Sequence, residues 1–190
     1  MAEFVRGGGR RGIPWRLVGW GGAVLLLAAP FVAMQMHAEG VNWSPGDYLF
    51  AGALFAIIGG SFELAARLAP NAAYRGGAGL ALLGTLLVIW SNLAVGIVGS
   101  EHNPANHLFF VALLVGIIGG SIARFRATGM ALAAAATAIC LAVAFVVASS
   151  GPTDEPFVHH SIEFIATSIF ALIFLGSAAL FRKAARDPQI

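Results

Sequence analysis

Charge is what this chain has least of: 11% of its 190 residues are Asp, Glu, Lys or Arg, about half the share carried by a soluble domain. With 58% apolar residues and a mean hydropathy of +0.83, that scarcity excludes an ordinary water-soluble fold and predicts one membrane domain. Cysteine is almost missing too. The lone Cys140 sits in an apolar run, which excludes an internal disulfide framework and a thiolate zinc site. Lysine is reduced to Lys183 among eleven basic residues, and the Arg, Ala and Gly usage suits a GC-rich bacterial genome. A net charge of +2 is too small to imply a nucleic-acid partner. No Walker loop, nucleophile elbow, HExxH or CxxCH string occurs.

What is present is a series of long apolar runs. A spanning helix needs ~20 mainly apolar residues to cross ~30 Å of hydrocarbon, and six stretches qualify: 14–36, 47–66, 78–99, 107–123, 129–149 and 160–181. The expected fold is therefore all-α and polytopic, with a basic tail over 1–13, a six-helix membrane domain over 14–183 and a short tail over 184–190. Arg6, Arg10, Arg11, Arg16, Arg67, Arg75, Arg124, Arg126, Arg182, Lys183 and Arg186 all fall on one side of these spans. The positive-inside rule makes that side, and both termini, cytoplasmic. The expected location is a bacterial inner membrane. The stretch AAPFVAMQMHAEG lacks a good small-x-small cleavage site, so the first span reads as a retained helix rather than a removed signal.

The string IIGGS occurs at 57–61 and again at 117–121. Extended without gaps, 51–67 aligns on 111–127, and 167–183 falls into the same register. Gly60, Gly120 and Gly176 coincide, followed by Ser61, Ser121 and Ser177, and each copy ends on basic residues. The reading is three helical-hairpin repeats, about 14–67, 78–127 and 129–183. The competing explanation is convergence of Gly/Ala-rich membrane sequence. The Gly-Ser pairs suit close helix packing, as does Asn92 through an interhelical hydrogen bond.

The repeat register also makes Asp47, His107 and Glu163 equivalent, one titratable group at the outer mouth of each returning helix. If these helices surround one axis, the three form an outer ion site. Asp47 has a simpler use, because Ser44-Pro45-Gly46-Asp47 reads as a helix start with an acid in the first turn. In the last external loop His159 and Glu163 are four apart and His160 and Glu163 three apart, on one helical face. Completed by His107, they suggest a divalent-metal site at the periplasmic face; the alternative is a set of solvated interfacial histidines.

The strings VNWSPGDYLFAG, FELAAR, NAAYRGGAGLAL, NLAVGIVGSEHNPAN and ARFRATGMA resemble a family of small bacterial integral membrane proteins without an established activity. The resemblance covers most of the chain from about residue 14 onward. It implies an inner-membrane helical bundle and transfers no catalytic residue. That family commonly carries an acidic residue where His102 stands, which argues against a strict ligand role for His102. Three readings stay open: a non-catalytic accessory, assembly or sensing component; a small transporter or channel using Asp47, His107 and Glu163; and a metalloprotein using His107, His159, His160 and Glu163. The partners expected are the lipid bilayer and, in any groove left open, another membrane protein or a second copy.

Overall fold

The computed structural model describes residues 15–69, 71–100, 102–150 and 160–187. Among them lie six α-helices and one 3-10 turn: α1 Trp15–Gln35, α2 Pro45–Leu68, α3 Ala72–Ala94, the turn Pro104–Asn106, α4 His107–Ile122, α5 Ala127–Ser149 and α6 His160–Arg186. All six α-helices belong to segments long and apolar enough to cross a bilayer. Large apolar side chains such as Leu25, Leu132 and Leu172 stay exposed on them, the surface expected where lipid is the solvent.

The helix ends follow local chemistry. Ser44 and Asp47 form a reciprocal cap at the start of α2: the Ser44 backbone N–H donates to Asp47 Oδ2 at 2.7 Å, and the Asp47 N–H donates back to Ser44 Oγ at 3.3 Å. Asn71 caps α3, its Oδ1 accepting from the Tyr74 N–H at 2.9 Å. This cap sets α3 over Ala72–Ala94, earlier than the expected 78–99. The apolar string after it, VGIVG, is loop: Gly96 takes φ +75 and Gly99 φ +66, conformations that end a helix. Asn92, expected near mid-span, therefore lies in the last turn of α3. At its far end α6 continues to Arg186, so the first residues assigned to a C-terminal tail are helical.

Two helices stop in the same manner without glycine. After α4 the Phe125 N–H donates to Gly120 O and the Arg124 N–H to Ser121 O, with Arg124 at φ 50 and Phe125 at φ 57. After α1 the Ala38 N–H donates to Ala33 O and the His37 N–H to Met34 O, with His37 at φ 54. Both are paired C-terminal caps built on left-handed residues, which cost a non-glycine side chain some strain.

The chain divides into two units within α2, residues 1–59 and 60–190. In the first, the Trp20 ring lies 3.0 Å from where a side chain on Gly59 would begin, and Trp43 meets Tyr48 edge to face. In the second, α6 packs between α3 and α5, and α5 between α6 and α4. The start of α3 lies beside the end of α6: Tyr74 stacks edge to face on Phe181, and the Ser177 hydroxyl donates to Gly77 O at 2.8 Å. The α4–α5 turn is at the same end, where the Tyr74 hydroxyl reaches Phe125 O. That end carries Arg124, Arg126 and Lys183 and is called the basic end below; the opposite one is the loop end.

Candidate functional site

The loop end is organised by one side chain. Asn106, 3% exposed, accepts the Ile97 and Val98 N–H groups on Oδ1 at 3.1 and 2.9 Å, and its amide donates to Val98 O and Ser100 O at 3.2 and 2.8 Å. All four capacities of the amide used here serve the loop 95–100, pulling Ile97 and Val98 into the core beside Phe109, Val88 and Leu141. Asn92 donates to Asn106 O at 2.9 Å and thereby ties α3 to the entry of α4. From α6, Glu163 supplies a second anchor, its Oε1 accepting the Gly99 N–H at 3.0 Å.

Glu163 is 6% exposed. Its Oε2 has no hydrogen-bond partner among the described residues, although His160 Nδ1 lies 3.4 Å away. The half-exposed imidazole and the buried carboxylate thus share the face that their spacing predicted. His107 is exposed, with Nδ1 2.9 Å from Pro104 O. His159 falls outside the described residues, and Asp47 belongs to the other unit, held by Ser44. No three His, Cys, Asp or Glu side chains among the described residues are placed to hold a metal ion. Since the single amide oxygen of Gln can stand in for Oε1, Glu163→Gln is expected to keep the Gly99 amide protected from hydrogen exchange, whereas Glu163→Ala frees it; exchange measured by mass spectrometry checks this.

The small residues expected at helix contacts divide by helix. Gly120 faces Met130 of α5, Gly176 faces Leu80 of α3, and Ser177 is fully buried against Gly77. A side chain on Gly60 would meet nothing within 4 Å, Ser61 is exposed, and the Ser121 hydroxyl turns back to Ile117 O of its own helix.

At the basic end the same helices leave a space. A cavity of about 730 Å³ is bounded by α3 and α4, floored by α5 and α6, and flanked by the last turns of α2. Its cause is a gradient of side-chain size. Toward the loop end Phe109, Leu141 and Val88 fill the gap between helices. Toward the basic end the facing positions are Ala78, Ala81, Gly116, Gly120 and Ala134, which cannot. At Gly116 α4 approaches the Thr137 hydroxyl of α5 so closely that a side chain there would clash. Along α3 the lining runs from Tyr74 to Thr85, about 16 Å of helix axis at 1.5 Å per residue. Ile117, Leu64 and Phe125 line it and are themselves exposed, so the cavity opens to the surface as a cleft.

Its mouth is the α4–α5 turn. The Tyr74 hydroxyl donates to Phe125 O at 2.6 Å, holding the strained pair Arg124–Phe125 at that mouth. Arg124 and Arg126 both contribute to the lining. Neither has an acidic partner among the described residues; the basic-end ion pair present there is Glu63 with Arg67 at 3.3 Å. The spacing of charges identified this turn only as a marker of orientation. A signal for the cleft was nonetheless in the chain: small residues recur on the basic-end halves of the segments that became α3, α4 and α5, and the fourth apolar run is the shortest.

Compared with models of known protein families, with curated proteins and with solved structures, the chain matches none.

Proposed function

We propose that this chain is a non-catalytic integral component of a bacterial inner membrane that holds a lipid-like ligand in the cleft of its basic end. The carrying observation is the cleft itself. Its volume of about 730 Å³ falls within the ~300–1,000 Å³ typical of sites for small organic ligands, and its lining is mostly apolar. Its depth of about 16 Å is half of a ~30 Å hydrocarbon core, hence one leaflet. The positive-inside rule assigns the basic end and both termini to the cytoplasmic side, so the ligand enters from the inner leaflet. Duplication of a helical hairpin is the origin we favour for the bundle; the shared Gly-Ser pairs support it.

The buried Glu163 is the feature that an ion pathway would use. On α6, however, the buried face continues from Glu163 and Thr167 to Phe170 and Phe174, so no polar track follows the carboxylate inward along that helix. This favours holding over conduction.

The test is occupancy. Ser121 lines the cleft and is exposed, so Ser121→Trp fills it without entering the core. Lipid extracted from wild-type protein after exhaustive detergent exchange is expected at near-stoichiometric amounts, and at least several-fold less from Ser121→Trp. Equal amounts from both would sink the reading.

A further inference from the structure

Beside the cleft lies a second, smaller hollow of about 440 Å³ lined by residues from Ile122 to Gly129. The two cavities share two residues, Arg124 and Arg126. One hollow is mostly apolar and about a leaflet deep, the other is built from the turn, and Arg124 and Arg126 line both. Resting on the lipid-holding reading above, we propose that the ligand is an anionic phospholipid. Its acyl chain lies in the apolar cleft, and its headgroup phosphate is received by Arg124 and Arg126 in the hollow at the α4–α5 turn.

Charge complementarity selects this occupant. Two arginines without acidic partners among the described residues line a cleft whose other residues are mainly aliphatic, aromatic, glycine and hydroxyl-bearing, and guanidinium groups suit phosphate oxygens in geometry as well as charge. The start of α5 adds to the preference. Arg126 occupies its N-cap position and makes no side-chain cap bond, so the N-cap side chain satisfies none of the first N–H groups of α5, and Thr128 and Gly129 of that first turn line the hollow. The turn is pre-set, because Tyr74 grips Phe125 O and the paired cap fixes Arg124. An anion arriving there has little backbone left to order. A zwitterionic lipid with the same chains fills the cleft equally but gains less from the arginines.

The experiment uses full-length protein in a neutral detergent, titrated in native mass spectrometry with phosphatidylglycerol and with phosphatidylcholine of identical chains. Inorganic phosphate is added in a separate arm. Wild type is expected to prefer phosphatidylglycerol by about 25-fold, each of the two basic residues contributing on the order of a fivefold gain. The Arg124→Gln/Arg126→Gln variant is expected to lose that preference while binding phosphatidylcholine as wild type does. Tyr74→Phe, which keeps the ring and both charges, is expected to narrow the preference without abolishing it, and serves if the double variant does not fold. Equal binding of the two lipids by wild type overturns the headgroup assignment and leaves the cleft reading standing. Binding of neither lipid defeats the cleft reading itself. Displacement of phosphatidylglycerol by millimolar inorganic phosphate would make the hollow a free-anion site and overturn the lipid assignment.

Discussion

Replacing Asn106 with alanine is expected to destabilise the protein by about 2–4 kcal/mol, since it strands several buried backbone groups at once. The Ile97 and Val98 N–H groups and the Val98 and Ser100 carbonyls all rely on this side chain, and Val98 is fully buried. No helix or sheet ladder offers these groups a substitute. The loop can recover by swinging out toward water, but Ile97 and Val98 then leave the core. Asn106→Asp keeps the acceptor but sets a buried carboxylate oxygen against the Val98 and Ser100 carbonyls, so its cost is expected to equal or exceed that of alanine at neutral pH. Unfolding in mixed detergent micelles, followed by circular dichroism, gives the magnitudes, and hydrogen exchange at 96–100 reports whether the loop is what opens. An alanine variant within about 0.5 kcal/mol of wild type would mean that the loop is held by burial alone.

The second large effect is expected at the contact of α3 with α6. A Cβ on Gly84 would begin 2.9 Å from Phe174 Cε2 and 3.1 Å from Ile173 Cγ2. Phe174 is itself buried, so its ring must leave its packed position, toward the cleft that it lines, to make room. Gly84→Val is expected to cost about 1–3 kcal/mol through overpacking, despite the better intrinsic helix propensity of valine. The same substitution at Gly60, where a side chain meets nothing, is expected to be neutral or slightly stabilising. Two glycines in similar sequence surroundings thus separate packing from propensity. Equal effects at both positions would show that the close approach of α3 to α6 carries no energy.

Much of the architecture was readable because the bilayer restricts the choices. Six apolar runs became six helices, since a chain in hydrocarbon must satisfy its backbone internally. The cap written in the short string Ser44 to Asp47 acts where it stands in the sequence. Errors arose where hydropathy and backbone geometry part. The string VGIVG is as apolar as a helix, yet its two glycines adopt positive φ and the segment is drawn inward by Asn106, a residue eight positions later. No periodicity announces that. The functional reading was harder for a related reason. Histidines and carboxylates attract notice as letters, whereas a cleft is made by what small residues fail to fill, and that depends on which helices become neighbours. Chain order puts α3 next to α4; packing inserts α6 beside α3.

That insertion has a consequence for biogenesis. Asn71 faces two ways: its oxygen caps the start of α3, while its amide donates to Ala184 O and Asp187 O at the end of α6. The first of these partners is synthesised 113 residues after Asn71, a delay of roughly 6–23 s at ~5–20 residues per second. For that interval the α6-binding face of α3 stands in the bilayer with nothing against it, although α4 and α5 can already pair. Closure of the bundle is therefore a late event in translation, gated by the last helix to leave the ribosome. A chain cut short before residue 184 would lose the clasp that joins the beginning of this unit to its end, and would be presented to membrane quality control as an unfinished protein.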